Sequence, residues 1–280
     1  MKPVHPLHKY IRPSAIRTAN CPGCGNGILA QSVLRAIEQE KLRMDDFVFV
    51  SGIGCAAWIP SPFFHADTLH TTHGRPIAFA TGVKLAAPDR RVMVISGDGD
   101  LLAIGGNHFI HAARRNIDMV VICVNNGIYG MTGGQVAPTT PTGLKTMTSP
   151  YGNIENSFDI CALAEAAGAT FVARWTVYHA KQITRTVRKA LSHRGFSLIE
   201  IVSHCPVQFG RKTGMGSSTE MFDWLKSSSI RREKADSLTD EEREGKIVVG
   251  EFLEITKPVL DDEIARMRRT FNDEEHGGTD

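Results

Sequence analysis

Val92-Met-Val-Ile-Ser-Gly97-Asp98-Gly99-Asp100, followed by Met119-Val-Val-Ile-Cys-Val-Asn125-Asn126, decides the fold. Each stretch is a run of apolar and β-branched residues closed by glycine or asparagine. That is the pattern of a strand buried on both faces and stopped by a turn. Leu101 to Arg115 lies between them and reads as helix. A strand–helix–strand crossover brings Asp98 and Asn126 together at two adjacent strand ends. The glycines let backbone approach a phosphate closely. Asp98 and Asn126 offer the hard oxygen ligands that Mg²⁺ prefers, and Mg²⁺ is usually shared with phosphates. Gly-Asp-Gly alone also fits a plain capped turn. The Asn-Asn pair at the next strand end shifts the balance to a phosphate and metal site.

Outward from this unit, Asn26 to Glu40 is predicted helical, because Ile28, Leu29, Val33, Ala36 and Ile37 share one face. Phe47 to Ser51 reads as a strand, Pro60 and Pro62 as loop, and Arg75 to Ala87 as helix stopped by Pro88. Gly127 to Pro150 is a long Gly-, Thr- and Pro-rich loop, and loops longer than about 15 residues are usually functional. Helix 158–168, strand 170–174, helix 177–192 and strand 197–203 follow. The expected fold is α/β, a mostly parallel sheet with helices on both faces and a C-terminal arm. Such sheets bind ligands beyond the carboxyl ends of their strands. The first twenty residues read as an extended arm. After Cys205 the composition becomes more charged, so 1–205 is expected to form the main domain and 206–280 an extension contacting a partner.

The 280 residues are 42% hydrophobic and 22% charged, ordinary for a folded globular chain. A net charge of +2, from 32 basic and 30 acidic residues, gives no reason to expect nucleic acid. The longest apolar runs fall far short of the roughly 20 residues that span a bilayer. The N-terminus has no apolar signal region. A cytoplasmic chain without membrane contact is expected.

In a reducing compartment, patterned cysteines point to metal or redox chemistry rather than disulfides. Six are present. Cys21 and Cys24 form a Cys-x-x-Cys pair, and Cys55 and Cys205 supply two more distant ligands. Four together can hold an iron–sulfur cluster or zinc. Cys123 and Cys161 sit where a small buried hydrophobe would serve and are left out of that set. His108 and His111 share helical spacing, but a helix surface or interface accounts for them.

Cys21-Pro-Gly-Cys-Gly, Gly52-Ile-Gly-Cys, His70-Thr-Thr-His-Gly-Arg-Pro, Gly97-Asp-Gly-Asp, Asn125-Asn-Gly-Ile-Tyr-Gly-Met-Thr-Gly-Gly-Gln and Cys205-Pro now point one way. The Gly-Asp-Gly and Asn-Asn pair resembles thiamine diphosphate enzymes. The whole set resembles the β subunit of 2-oxoacid:ferredoxin oxidoreductases over about residues 10 to 255, most like the 2-oxoglutarate branch. The resemblance implies thiamine diphosphate, Mg²⁺ and a [4Fe–4S] cluster. It implies that Asp98, the Asn126 side chain and the Ile128 carbonyl hold Mg²⁺. Gly99 and Asp100 would face the diphosphate, with Gly130 and Met131 closing over it. Ile53, Gly54, Cys55, Ala56 and His73 would lie beside the cofactor, His73 with a catalytic role. Cys21, Cys24, Cys55 and Cys205 would hold the cluster.

The implied reaction turns a 2-oxoacid, CoA and oxidised ferredoxin into acyl-CoA, CO₂ and reduced ferredoxin, reversibly, with 2-oxoglutarate giving succinyl-CoA. Pyruvate or a branched 2-oxoacid is the alternative within the family. A non-oxidative decarboxylase would keep the cofactor and need no cysteine set. An iron–sulfur carrier would not need Asp98 and Asn126. Gly52-Ile-Gly54-Cys-Ala-Ala57 only loosely fits a dinucleotide fingerprint, and the acidic residue expected about 20 positions later is absent. Relatives that place a lysine after the Tyr-Gly-x-Thr stretch use it on CoA. Gly133 stands there instead, so CoA recognition falls to other residues. Thiamine enzymes also need a pyrimidine-binding domain. The family draws it from an α subunit, in an αβ or α₂β₂ assembly.

Overall fold

The computed structural model describes residues 5–15, 18–215 and 217–276. Eight strands form one sheet in the order β2-β1-β3-β4-β6-β5-β8-β7. They are β1 (Phe47–Ser51), β2 (Asp67–His70), β3 (Arg91–Gly97), β4 (Met119–Asn125), β5 (Phe171–Thr176), β6 (Phe196–Val202), β7 (Ser229–Arg231) and β8 (Ile247–Glu254). The first six pair in parallel. β8 adds antiparallel to β5, and β7 runs parallel to β8.

Helices cover both faces. α1 (Asn26–Gln39) and α5 (Ala180–Ser192) pack Leu29, Val33, Ile183 and Val187 against Met93, Ile95, Ile122 and Val124. On the other face, α2 (Pro76–Ala86), α3 (Gly106–Arg114) and α4 (Ile160–Ala167) pack Ile77, Phe109 and Ala164 with Val92, Val94, Val121 and Cys123. Successive strand residues point to opposite faces, and here both faces are core. That is why β3 and β4 read as unbroken apolar runs rather than alternating ones. Gly97 pairs with Val124, so the tips of β3 and β4 end side by side.

Four details differ from the sequence reading. β2 was not read from the sequence. It is a four-residue edge strand with no buried residue, so it carries no apolar run. The helix expected from Leu101 begins instead with a wide π-helical turn over Gly99–Ile104 and restarts at Gly106. A Cβ at Gly105 would meet the Asp100 carbonyl oxygen at 2.5 Å, so the chain is pressed too tightly there for any other residue. The N-terminal arm is not simply extended. Pro6–Tyr10 forms a 3₁₀ turn that buries Leu7 and Tyr10. Arg12 then donates to the carbonyls of Phe64 (2.8 Å) and Ala66 (2.6 Å).

The fourth concerns residues after 205. They hold α6 (Ser218–Ser228), closed by a Ser217–Glu220 capping box, and α7 (Leu260–His276). Through β8 they also extend the main sheet, so no break in the sheet falls at 205 and 206. Among the described residues no helix is long and apolar enough to cross a membrane.

Candidate active site at the strand tips

Asp98 leaves the end of β3 and is 3% exposed. Its Oδ2 accepts the Thr139 hydroxyl, and no cation pairs with it among the described residues. Burial pushes its carboxyl up to about 6, against the pull of the Thr139 hydroxyl and the Gly99 N–H. A buried carboxylate with hydroxyl and amide donors but no positive partner suits a divalent cation.

The facing turn after β4 is held from every side. The Asn125 Oδ1 accepts the Gly127 N–H (3.1 Å), and the Asn126 Oδ1 accepts the Ile128 N–H (3.1 Å). Thr140 Oγ1 donates to the Gly127 carbonyl at 2.7 Å. Gly127 has φ +68°, a left-handed conformation that favours glycine, with the Phe209 ring 3.1 Å from where a Cβ would stand. The Tyr129 hydroxyl donates to the Gly99 carbonyl (3.0 Å) and so joins the two tips.

The carboxylate of Asp100 is engaged by the neighbouring loops. Its Oδ1 accepts the N–H groups of Gly74 (2.7 Å) and Ile53 (3.2 Å), and its Oδ2 accepts the Ser96 hydroxyl (2.7 Å). His73 Nδ1 lies 2.8 Å from Oδ1. Asp100 therefore anchors the loops carrying Ile53, Gly54 and His73 to β3. A side chain at Gly52 would collide with it, since a Cβ there would lie 1.9 Å from Oδ2. The His73 ring remains partly exposed, tilted toward Tyr129 with centroids 6.1 Å apart. Met131 is exposed, and Ala56 is buried.

The four cysteines of the candidate cluster set come from three loops at this same end. All six cysteines are free thiols. A Cβ built on Gly130 would lie 3.6 Å from the sulfurs of both Cys55 and Cys205. Burial pushes the Cys24 thiol up to about 11, with Cys205, Cys55 and Cys21 adding in the same direction. Burial, then Cys205 and Cys21, do the same to Cys55, also to about 11. The Cys21–Cys24 turn is carried by the segment before Cys205. His204 Nε2 donates to the Gly23 carbonyl (2.7 Å), and the Gly25 N–H donates to the His204 carbonyl (3.3 Å). Among the described residues, no three His, Cys, Asp or Glu side chains converge on a single ion-sized centre. Cys123 is buried in β4 and Cys161 in α4, where its thiol donates to Glu200 Oε2 (3.4 Å). His108 and His111 stay on the α3 surface.

The sequence reading missed Arg174 and Glu200. They are register partners on β5 and β6, and Glu200 is 2% exposed. Arg174 Nε donates to Glu200 Oε2 (2.6 Å), and its Nη2 donates to Asp159 Oδ1 (2.6 Å). Asp159 also caps α4 by accepting the N–H groups of Cys161 (3.1 Å) and Ala162 (3.2 Å). Glu200 Oε1 accepts the Asn125 Nδ2 at 2.8 Å. A relay thus runs from the exposed α4 cap, through Arg174 and the buried Glu200, to the turn that holds Asn126. One charged residue in each otherwise apolar strand was the available signal. Removing one member of a buried ion pair typically loses about 3–5 kcal/mol. Glu200→Ala is accordingly expected to lower Tm sharply in a thermal melt, and Glu200→Gln less, because its amide oxygen still accepts from Asn125.

The model of the thiamine pyrophosphate enzyme C-terminal TPP binding domain matches residues 52–201. The 2-oxoglutarate synthase subunit KorB of Methanocaldococcus jannaschii is 53% identical over 264 residues, covering 94% of this chain and 97% of the relative. This chain belongs to the β-subunit family of the 2-oxoacid:ferredoxin oxidoreductases. The KorB subunit of Methanothermobacter marburgensis is 51% identical over 263 residues, covering 94% of this chain and 92% of that one. A solved 2-oxoglutarate:ferredoxin oxidoreductase from Magnetococcus marinus, with 2-oxoglutarate, coenzyme A and succinyl-CoA bound, superposes with a TM-score of 0.85. It is 31% identical, and the match covers 100% of this chain and 94% of that one. As a β subunit of this oxidoreductase family, the chain carries the thiamine diphosphate-binding domain, and the matched segment spans both strand tips.

Proposed function

We propose that this chain is the β subunit of a 2-oxoglutarate:ferredoxin oxidoreductase, with both its cofactor half-site and its electron outlet at one end of the sheet. The observation that carries the reading is Gly130. It follows the turn bearing Asn126 and stands against the Cys55 and Cys205 sulfurs. Cys55 in turn lies beside Ile53, whose N–H is held by Asp100.

In this reading Asp98, the Asn126 side chain and the Ile128 carbonyl hold Mg²⁺, which neutralises the diphosphate. Thiamine diphosphate supplies the electron sink for decarboxylation of the 2-oxoacid. Cys21, Cys24, Cys55 and Cys205 hold a [4Fe–4S] cluster, the route for single electrons to ferredoxin. Asp100 holds the 52–54 loop through the Ile53 N–H and keeps His73 Nδ1 facing inward. Tyr129 ties the Gly99 backbone to the metal turn and prevents the two tips from parting.

The pyrimidine half of the site belongs to an α subunit. Tyr151 (98% exposed) and Ile154 (92%) on the long loop offer that partner an apolar surface. Six free thiols suit a reducing cytoplasm. The test is an anaerobic assay of the co-purified complex with 2-oxoglutarate, pyruvate and a branched 2-oxoacid, plus CoA and a viologen dye. The expected result is fastest dye reduction with 2-oxoglutarate and none from the β chain alone. Turnover by the isolated β chain, or faster pyruvate oxidation, would overturn the reading.

A further inference from the structure

A cavity of about 490 Å³ opens over the carboxyl ends of β4, β6 and β5. It shares Asn126, Gly127 and Thr139 with the metal turn, but neither Asp98 nor Gly99 lines it. The sheet order explains this: β3 lies on one side of β4, and β6 and β5 lie on the other. The volume falls in the range of small-molecule sites, roughly 300–1,000 Å³.

The unspent charge in this cavity is positive. Arg174, Arg243 and Lys246 line it, and so do Asp159 and Glu200. Arg174 already engages both carboxylates. Arg243 and Lys246 have no ion-pair or side-chain hydrogen-bond partner among the described residues. The Arg243 Nε is buried and without a hydrogen-bond partner. Such a group calls for an acceptor. The same cavity is also lined by the apolar side chains of Phe158, Phe209 and Trp224. Both cations reach the site on the segment that leads into β8, so the fold of the C-terminal extension completes the cavity.

We propose that this cavity binds a small organic anion, its carboxylate or phosphate held by Arg243 and Lys246 and its carbon body against Phe158, Phe209 and Trp224. The site stands on its own residues and does not depend on the assigned 2-oxoacid.

The test uses the intact αβ complex, with glutarate and propyl phosphate as probes, followed by calorimetry and tryptophan fluorescence. At least one probe is expected to bind saturably. Its affinity should fall at least tenfold in Arg243→Gln/Lys246→Gln, since each charge-assisted bond is worth about a factor of ten. The better probe separates a carboxylate from a phosphate ligand. Binding should persist in Asp98→Asn, which lacks the metal ligand, so failure of this proposal and failure of the cofactor reading are distinguishable. No saturable binding by either probe overturns the proposal. So does equal affinity in native and double-variant complexes, which would mark binding at the reaction site instead. If the double variant does not assemble, Arg243→Gln alone gives the same comparison.

Discussion

Asp98→Asn is expected to abolish Mg²⁺-dependent thiamine diphosphate binding while leaving the apo fold intact or slightly more stable. The substitution keeps the shape and the hydrogen bond from Thr139 but removes the only carboxylate in the proposed metal set. Loss of groups that merely support a metal ligand typically weakens affinity 10–100-fold. Loss of the ligand itself should reach at least the upper end, about a hundredfold or more. The stability sign follows from burial. The folded-state carboxyl lies at about 6, above its usual 3.8. Its contribution therefore favours the apo fold at low pH and is lost as pH rises through about 6. At neutral pH the native carboxylate is a buried, unpaired charge, so its removal relieves the fold. Titration of thiamine diphosphate with Mg²⁺, beside a thermal melt without either, separates the effects. Near-native cofactor affinity in Asp98→Asn would exclude Asp98 as a metal ligand.

Cys205→Ser is expected to empty the cluster site and stop dye reduction while thiamine diphosphate still binds. The four cysteines sit on the Cys21–Cys24 turn, on the loop after β1 and just past the end of β6, near enough that Cys205, Cys55 and Cys21 all raise the Cys24 thiol. A cluster held by three thiolates and a serine oxygen loses its softest-ligand match at one corner. Iron and acid-labile sulfide per β chain should fall several-fold from about four each. Cys123→Ala and Cys161→Ala should leave both counts unchanged, because those thiols are buried in the core on β4 and α4. Zinc in place of iron and sulfide in the native complex would refute the cluster reading, and full iron in Cys205→Ser would remove that residue from it.

The main sheet strands were legible because their information is local. Arg91–Gly97 and Met119–Asn125 are buried on both faces, and continuous apolar runs announce that without knowledge of neighbours. The half-exposed edge strand β2 and the short β7 carry no such run. β8 buries only Val249 and Gly250 and lies in a charged region, which hid it. The π-helical turn after Gly99 was also hidden; at its end Gly105 packs closely on the Asp100 and Gly74 carbonyls, and Gly74 is distant in sequence.

The sequence by itself determined which residues end β1, β3 and β4 and which cysteines stand in a close pair, since glycine turns and apolar periodicity act over a few residues. Only the tertiary structure decided that Asp100 faces the loops of Ile53 and His73, that Glu200 grips Asn125, and that Arg243 returns to a cavity beside the metal turn. Those partners are far apart along the chain. Their meeting depends on strand order and register, and no local pattern encodes either.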